Sequence, residues 1–115
     1  MNSSKIQFVR SDTPPGSPVV IRLIGPIVMA TLGDFQKYLR AEPAPSLVLD
    51  FSEVPFIDSS GLGSMISVFL HYKQAGRKLG VVGMNEKCRA LLKMTNVENL
   101  FPSFNSIEDA RAALA

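Results

Sequence analysis

Cysteine is almost absent from the sequence. Cys88 is the only cysteine among 115 residues, so the chain cannot form an internal disulfide. Disulfides support small domains mainly in oxidising compartments, whereas a domain of this length buries enough apolar surface to fold without them. We therefore expect a single domain over residues 1–115 that resides in the cytoplasm, a reducing compartment.

The sequence also lacks a long apolar run and a block of like charges. Its longest apolar stretch, residues 19–32, is interrupted by Arg22 and Pro26 and is too short to span a bilayer. No basic segment followed by a leader-like apolar run opens the chain. The formal net charge is only +2, and the basic residues are dispersed. We therefore expect no membrane or nucleic-acid partner, and protein partners are favoured.

The first 24 residues have the pattern of a β-hairpin. Residues 5–10 alternate weakly between polar and apolar side chains, and residues 19–24 form an apolar run that ends at Gly25-Pro26. Between these runs, residues 11–18 are rich in proline. Pro15 presets a negative φ there and Gly16 accepts a positive one, which is typical of a turn.

Helix and strand patterns alternate through the rest of the chain. Apolar residues recur at helical spacing over residues 30–41, where Thr31 and Asp34 are placed like a capping box. Leu47-Val48-Leu49 suits a strand that is covered on both faces and ends at Asp50. Further predicted elements are a helix after residue 58 that ends near Gly76, a strand over residues 79–82, a helix capped by Asn85, and a last helix capped by Ser106 and Asp109. The order predicts an α/β fold, in which helices pack on a small mixed sheet after an opening β-hairpin and a C-terminal helix closes the chain.

A polar segment, FIDSSGLG at residues 56–63, separates the central strand from the second helix. It combines an acid, two hydroxyls and two glycines, which is more than a helix start requires. One interpretation is structural: Asp58 or Ser59 caps the helix, and Gly61 and Gly63 let it pack closely on the sheet. A functional interpretation competes, because function in α/β sheets collects in loops beyond the carboxyl ends of strands.

Two enzymatic interpretations of this segment are disfavoured. A dinucleotide fingerprint needs a third glycine three positions after the second, where Ile66 stands. A serine hydrolase needs a nearby histidine base, but His71, the only histidine, lies more than two helical turns beyond Ser60 and is predicted to be solvated. We expect no catalytic residue, metal site or cofactor. A phosphorylated serine is compatible, because a helix N-terminus stabilises an added phosphate.

Residues 47–66, LVLDFSEVPFIDSSGLGSMI, resemble the signature segment of the STAS family, the domain shared by sulfate transporters and bacterial anti-sigma factor antagonists. Weaker similarity extends from residue 19 to the end of the chain. In the antagonists, the serine after the motif's aspartate is phosphorylated by a serine-kinase anti-sigma factor, which has a histidine-kinase-like ATPase fold. A PP2C-type phosphatase removes the phosphate. The resemblance therefore implies that Ser59 is the phosphoacceptor.

The same resemblance implies a non-enzymatic anti-sigma factor antagonist that regulates transcription by partner switching. The unphosphorylated form would bind the anti-sigma factor and release the sigma factor, and phosphorylation would end this binding. The implied contact residues are Asp58, Ser59, Ser60, Gly61 and Leu62. Within this hypothesis Asp58 orients the turn, Gly61 lets the partner approach closely, and Ser60 caps the helix. The alternative is a non-switching STAS subunit that scaffolds a larger complex, such as a stressosome or a lipid-transport assembly.

One position departs from the family pattern. Many antagonists carry an aspartate three residues after the glycine that closes the second strand, whereas here Gly25 is followed by Pro26-Ile27-Val28. The acidic side chain of those antagonists is therefore absent at Val28. The departure lies outside the residues of the predicted phosphoacceptor motif.

Asp50 and Cys88 each have a second interpretation. An aspartate that ends a strand accepts phosphate in response-regulator receivers, but a receiver also needs a pair of acids at the end of its first strand to hold Mg²⁺. The early strands of this chain end in Arg10 and Ile24 instead, so a solvated or capping role is favoured for Asp50. Cys88 has two leucines at helical spacing and is predicted to be a small core residue.

Overall fold

A five-stranded sheet lies at the centre of the computed structural model, which describes residues 5–11 and 13–115. The elements in chain order are β1 (Gln7–Arg10), β2 (Val19–Ile24), α1 (Leu32–Ala41), β3 (Ser46–Glu53), α2 (Ser59–Gln74), β4 (Lys78–Val82), α3 (Glu86–Met94), a short 3-10 helix (Glu98–Leu100), β5 (Ser103–Phe104) and α4 (Ile107–Leu114). The predicted alternation of strands and helices, and with it the α/β fold, is confirmed.

The strands are ordered β1-β2-β3-β4-β5 across the sheet. β1 pairs with β2 in antiparallel orientation, and the other neighbours are parallel, so the opening hairpin and the mixed sheet are both confirmed. The predicted turn contains Asp12, which lies outside the described residues, and Gly16, whose φ is +88°. Neither β5 nor the 3-10 helix is predicted from the sequence, because two or three residues are too few to show a period.

Most of the buried apolar side chains lie on the side of the sheet that α1, α2 and α3 cover. Leu47, Leu49 and Phe51 of β3 point to this side and are fully buried. Val48 points to the other side, where it packs with α4. β3 is therefore covered on both faces, as its uninterrupted apolar run predicts. Helical residues in the main core are Phe35, Leu39, Leu62, Met65, Val68, Phe69, Tyr72, Cys88 and Leu92.

Several predicted helix ends are confirmed. The side chain of Asn85 accepts a hydrogen bond from Cys88 N–H (2.8 Å), and that of Ser106 accepts one from Asp109 N–H (3.0 Å). Gly76 lies just beyond α2 with a φ of +73°. Cys88 is buried as predicted, and burial raises the pKa of its thiol. Residue type thus determines these ends locally.

The start of α1 differs from the prediction. The helix begins at Leu32, and Thr31 stands at the N-cap position without capping through its side chain. The Thr31 hydroxyl instead donates to the Pro26 carbonyl oxygen (2.7 Å) and accepts a hydrogen bond from Val28 N–H (2.9 Å). The predicted capping box with Asp34 is therefore wrong, because this buried hydroxyl serves the preceding loop.

β3 is also longer than predicted. It continues to Glu53, so Asp50 lies within the strand and does not end it. One carboxylate oxygen of Asp50 accepts a hydrogen bond from Ser52 N–H (2.9 Å). Its partners in register are Arg22 on β2 and Val82 on β4, so the neighbouring strands place no acid opposite it. This local hydrogen bond and the lack of an acid opposite Asp50 favour a structural role within β3 over a receiver-like one.

Candidate functional site

The segment between β3 and α2 lies against the loop that follows β2. Ile27 and Ile57 form an isolated parallel bridge. Ile27 N–H donates to the Phe56 carbonyl oxygen, and Asp58 N–H donates to the Ile27 carbonyl oxygen, both at 3.2 Å. These bonds position the start of α2 relative to residues 25–31.

Asp58 joins the helix to that loop through its side chain. One carboxylate oxygen accepts a hydrogen bond from Gly61 N–H (2.7 Å), which makes Asp58 the N-cap of α2. The other oxygen accepts a hydrogen bond from Met29 N–H (3.2 Å). The capping interpretation therefore holds for Asp58. Ser60 is the second residue of the helix, so the prediction that it caps α2 is wrong.

The two glycines of the motif differ in their surroundings. A Cβ at Gly61 would lie 2.5 Å from the carbonyl carbon of Ile27 and closer still to its oxygen, whereas a Cβ at Gly63 would meet nothing within 4 Å. Close packing therefore explains Gly61 and not Gly63. Gly61 and Leu62 are buried within the domain. The predicted role of Gly61 is corrected accordingly, because the group that approaches it is the backbone of Ile27.

Ser59, in contrast, faces solvent at the first position of α2, and Ser60 beside it is half-buried. The N–H groups of these two residues have no acceptor within the helix, because no helical carbonyl lies four residues before them. The partial positive charge at this helix end favours an anion. Ser59 is thus exposed at a helix position where a negative charge is favoured.

Two large apolar side chains are exposed in the segments around Ser59. The relative exposure is 70% for Met29 and 44% for Phe56. Sequence reasoning missed Met29 and Ile27, because their contacts with the turn use backbone groups that every residue carries. Phe56 could have been noted from the sequence, because it is the first residue of the motif. Its exposure, however, depends on the path of the loop.

Other candidate groups lie apart from the turn. His71 is exposed, as predicted, and its position eleven residues beyond Ser60 places it about 16 Å further along α2. Within residues 5–11 and 13–115, no three His, Cys, Asp or Glu side chains are placed to hold a metal ion. A groove of about 1080 Å³ lies between α3 and β5, and residues 56–63 take no part in its lining. The turn therefore lies outside this groove.

Comparisons with known proteins agree on one fold. A family model described as STAS domain matches residues 8–110. An anti-sigma factor antagonist from Mycobacterium paratuberculosis aligns with a TM-score of 0.78 and 25% identity, over 95% of this chain and 93% of that one. None of the helices in the described part of the chain has the length and apolar character needed to cross a membrane.

Two more distant structures share the fold alone. The phosphorylated form of SpoIIAA, a Bacillus cell fate determinant, aligns with a TM-score of 0.70 and 15% identity, over 95% of this chain and 100% of that one. The murine anion transporter Solute Carrier 26 family member A9 aligns with a TM-score of 0.73 and 20% identity, over 84% of this chain but only 17% of the transporter. The fold therefore occurs both as an independent small protein and as part of a much larger one.

Proposed function

We propose, since this chain belongs to the STAS domain family, that it is an anti-sigma factor antagonist whose binding is switched off by phosphorylation of Ser59. The unphosphorylated form binds an anti-sigma factor, which then releases its sigma factor. The similarity to the mycobacterial antagonist over nearly the whole of both chains supports this role. The chain acts by binding in the cytoplasm and catalyses no reaction itself.

A single observation carries the assignment of the switch. Within the DSSGLG motif, Ser59 is the exposed residue of the first helical turn, whereas Asp58 is engaged through both carboxylate oxygens and Gly61 and Leu62 are buried. A kinase can therefore reach the Ser59 hydroxyl without any unfolding of the turn. Asp58, Ser59 and Ser60 remain the proposed contact residues. Gly61 and Leu62 are buried beneath them and support the turn from inside the domain.

The proposed partner is a serine kinase with a histidine-kinase-like ATPase fold. It transfers the γ-phosphoryl group of ATP to the Ser59 hydroxyl oxygen, and ADP and the hydroxyl proton are released. A PP2C-type phosphatase hydrolyses the phosphoester with water and restores the serine. The resemblance of the motif to that of the antagonists supports both partners.

The physical effect of the phosphate is to place charge in a binding surface. A phosphoserine adds about −1.5 to −2 charges at neutral pH. A charge that is repelled or left unpaired at a close interface costs several kcal/mol, and each 1.4 kcal/mol changes affinity about tenfold. One phosphate therefore reduces affinity by about two decades or more without any large conformational change.

Affinity capture from the lysate of the native organism tests this proposal. The baits are the wild-type chain, Ser59→Ala, Ser59→Asp, and Ser103→Asp as a control that adds the same charge at an exposed serine of β5. We expect every bait except Ser59→Asp to retain an ATPase of the histidine-kinase-like type, identified by mass spectrometry. Subsequent titration of the purified partner should give an affinity for Ser59→Asp at least about 100-fold weaker than wild type.

Misfolding does not explain such a loss. A carboxylate in the first turn of a helix interacts favourably with the helix dipole, by about 0.3–1 kcal/mol, so Ser59→Asp should unfold at a temperature no lower than wild type. Equal retention of the same proteins by all four baits would contradict the switch. The turn would then be structural, and the domain would be a constitutive scaffold.

A further inference from the structure

Hydrogen bonds of the backbone hold the side chains of Met29 and Phe56 in exposed positions. Met29 N–H is bonded to the Asp58 carboxylate, and the Phe56 carbonyl oxygen accepts a hydrogen bond from Ile27 N–H. The relative exposure of the side chain is 70% for Met29 and 44% for Phe56. The backbone of each residue is nevertheless hydrogen-bonded at the same turn. These side chains are therefore presented on a defined part of the surface beside Ser59, and their ordering on binding costs less conformational entropy than that of a mobile loop.

The two segments that carry Met29 and Phe56 have almost no charged residues of their own. Residues 25–33 contain no charged side chain, and residues 54–70 contain only Asp58. Both oxygens of that carboxylate accept hydrogen bonds from backbone N–H groups. The one charge on these segments is therefore already hydrogen-bonded within the protein, which lowers the cost of removing water from an interface built here, as long as Ser59 carries no phosphate.

We infer that Met29 and Phe56 are the apolar anchors by which the anti-sigma factor binds, and that this partner presents an apolar surface to these two side chains, beside the site at which it presents ATP to Ser59. The inference rests on the proposed function and adds the chemistry of the contact. Buried aromatic and other large side chains near the centre of an interface typically supply most of its affinity. Ser59 directly follows Asp58, whose side chain accepts a hydrogen bond from Met29 N–H, so the phosphoacceptor lies next to this surface.

Titration calorimetry with the purified anti-sigma factor tests the anchors. The variants are Met29→Ala and Phe56→Ala. Their matched controls are Met94→Ala, 78% exposed at the far end of α3, and Val9→Ala, 46% exposed on β1. We expect each anchor variant to weaken binding about tenfold or more and each control to change it less than about twofold. Melting temperatures of Met29→Ala and Met94→Ala should stay unchanged, since both side chains are at least 70% exposed, whereas Phe56→Ala and Val9→Ala should melt slightly lower, because these side chains are more than half covered.

The salt series completes the test. Apolar contacts are not screened by salt, so we expect the wild-type affinity to change less than about threefold between 50 mM and 1 M NaCl. A larger loss of affinity in salt, or anchor variants that bind like their controls, would overturn the inference. If Ser59→Asp fails to bind while Met29→Ala and Phe56→Ala bind normally, the proposed switch stands and only the anchors are wrong. If Ser59→Asp binds like wild type, or no anti-sigma factor is captured, the proposed function fails and the inference that rests on it fails too.

Discussion

At residue 61 the chain has a hydrogen atom where any other residue would place a Cβ, and the backbone of Ile27 fills the adjacent space. The same α2 turn contains a second glycine, Gly63, with open space around its Cα hydrogen. Two glycines that look equivalent in the motif therefore carry different constraints. Gly61 allows α2 to approach the loop after β2 closely. This approach determines the position of Ser59 relative to that loop.

Substitution of the two glycines separates these constraints. Gly61→Ala should destabilise the domain by about 1–3 kcal/mol, because the new methyl group overlaps a backbone that cannot move without breaking the Ile27–Ile57 bridge. Gly63→Ala should instead stabilise it by about 0.5–1 kcal/mol, since alanine is the better helix former. Urea denaturation of both variants measures the difference, and equal stabilities would contradict the packing argument.

At the scale of elements, the position of α2 depends on contacts with two other parts of the chain. Its core face packs in the main core, and its N-terminus is tied to residues 25–31 by Asp58 and by the Ile27–Ile57 bridge. α1 lies beside it, where Gln36 donates to the hydroxyl oxygen of Ser64 (2.8 Å). The loop, the turn and the helix therefore form one structural unit that carries Ser59.

Removal of the Asp58 side chain should loosen this unit. Asp58→Ala loses both the cap of α2 and the bond to Met29 N–H, so we expect a loss of about 1–3 kcal/mol in the free energy of unfolding. Amide hydrogen exchange should become faster at both Met29 and Gly61.

Ser106→Ala is the matched control, because it removes the cap of α4, and among the described residues the Ser106 side chain makes no hydrogen bond to another loop. Its cost should be about 1 kcal/mol, with exchange at Met29 unchanged. If Asp58→Ala leaves exchange at Met29 as slow as in wild type, the carboxylate does not hold the loop.

At the scale of the whole molecule, the two ends of the sheet differ. The candidate site lies at the carboxyl end of β3. At the amino end, the buried Glu42 carboxylate receives bonds from Arg10 (2.7 and 3.1 Å) and from Ala44 N–H (3.0 Å). Arg77 donates to the Glu42 and Ala44 carbonyl oxygens and stacks over Tyr72. The contacts at this end connect three parts of the chain: β1, α2, and the segment that precedes β3. They stabilise the fold at the end of the sheet opposite the candidate site.

Glu42 gives the stability a defined pH dependence. The hydrogen bond from Arg10 lowers the pKa of Glu42 from its ordinary value of 4.5, against the opposing effect of burial. A carboxyl group whose pKa is lower in the folded state stabilises the fold above its unfolded pKa, and this contribution disappears as pH falls through the folded value. The free energy of unfolding should therefore decline as pH falls below about 4.5.

Glu42→Gln tests this assignment. Because Arg10 is partly exposed, we expect the substitution to cost only about 1–2 kcal/mol at neutral pH and to flatten the acid limb of the stability curve. Chemical denaturation from neutral pH to about pH 3 measures both effects. Glu98→Gln, at an exposed glutamate of the 3-10 helix, should leave the curve of the wild type unchanged. A Glu42→Gln variant that loses as much stability in acid as wild type would contradict the role of Glu42.

The sequence by itself determined the features that depend on neighbouring residues. The alternation of helices and strands, the caps at Asn85 and Ser106, and the presence of a hydroxyl at the start of α2 all follow from residue types within about one helical turn of each other. The motif at residues 56–63 belongs to this class, so both its position and its resemblance to the STAS signature could be read without a structure.

The tertiary structure decided which parts of that motif face outwards. Gly61 and Leu62 turn into the domain, Ser59 turns to solvent, and Met29 joins the site from about 30 positions earlier in the chain. These contacts are made largely through backbone N–H and C=O groups, which are the same in every residue and leave no pattern in the sequence. Contacts of this kind become visible only when distant segments are brought together by the burial of the apolar side chains between them.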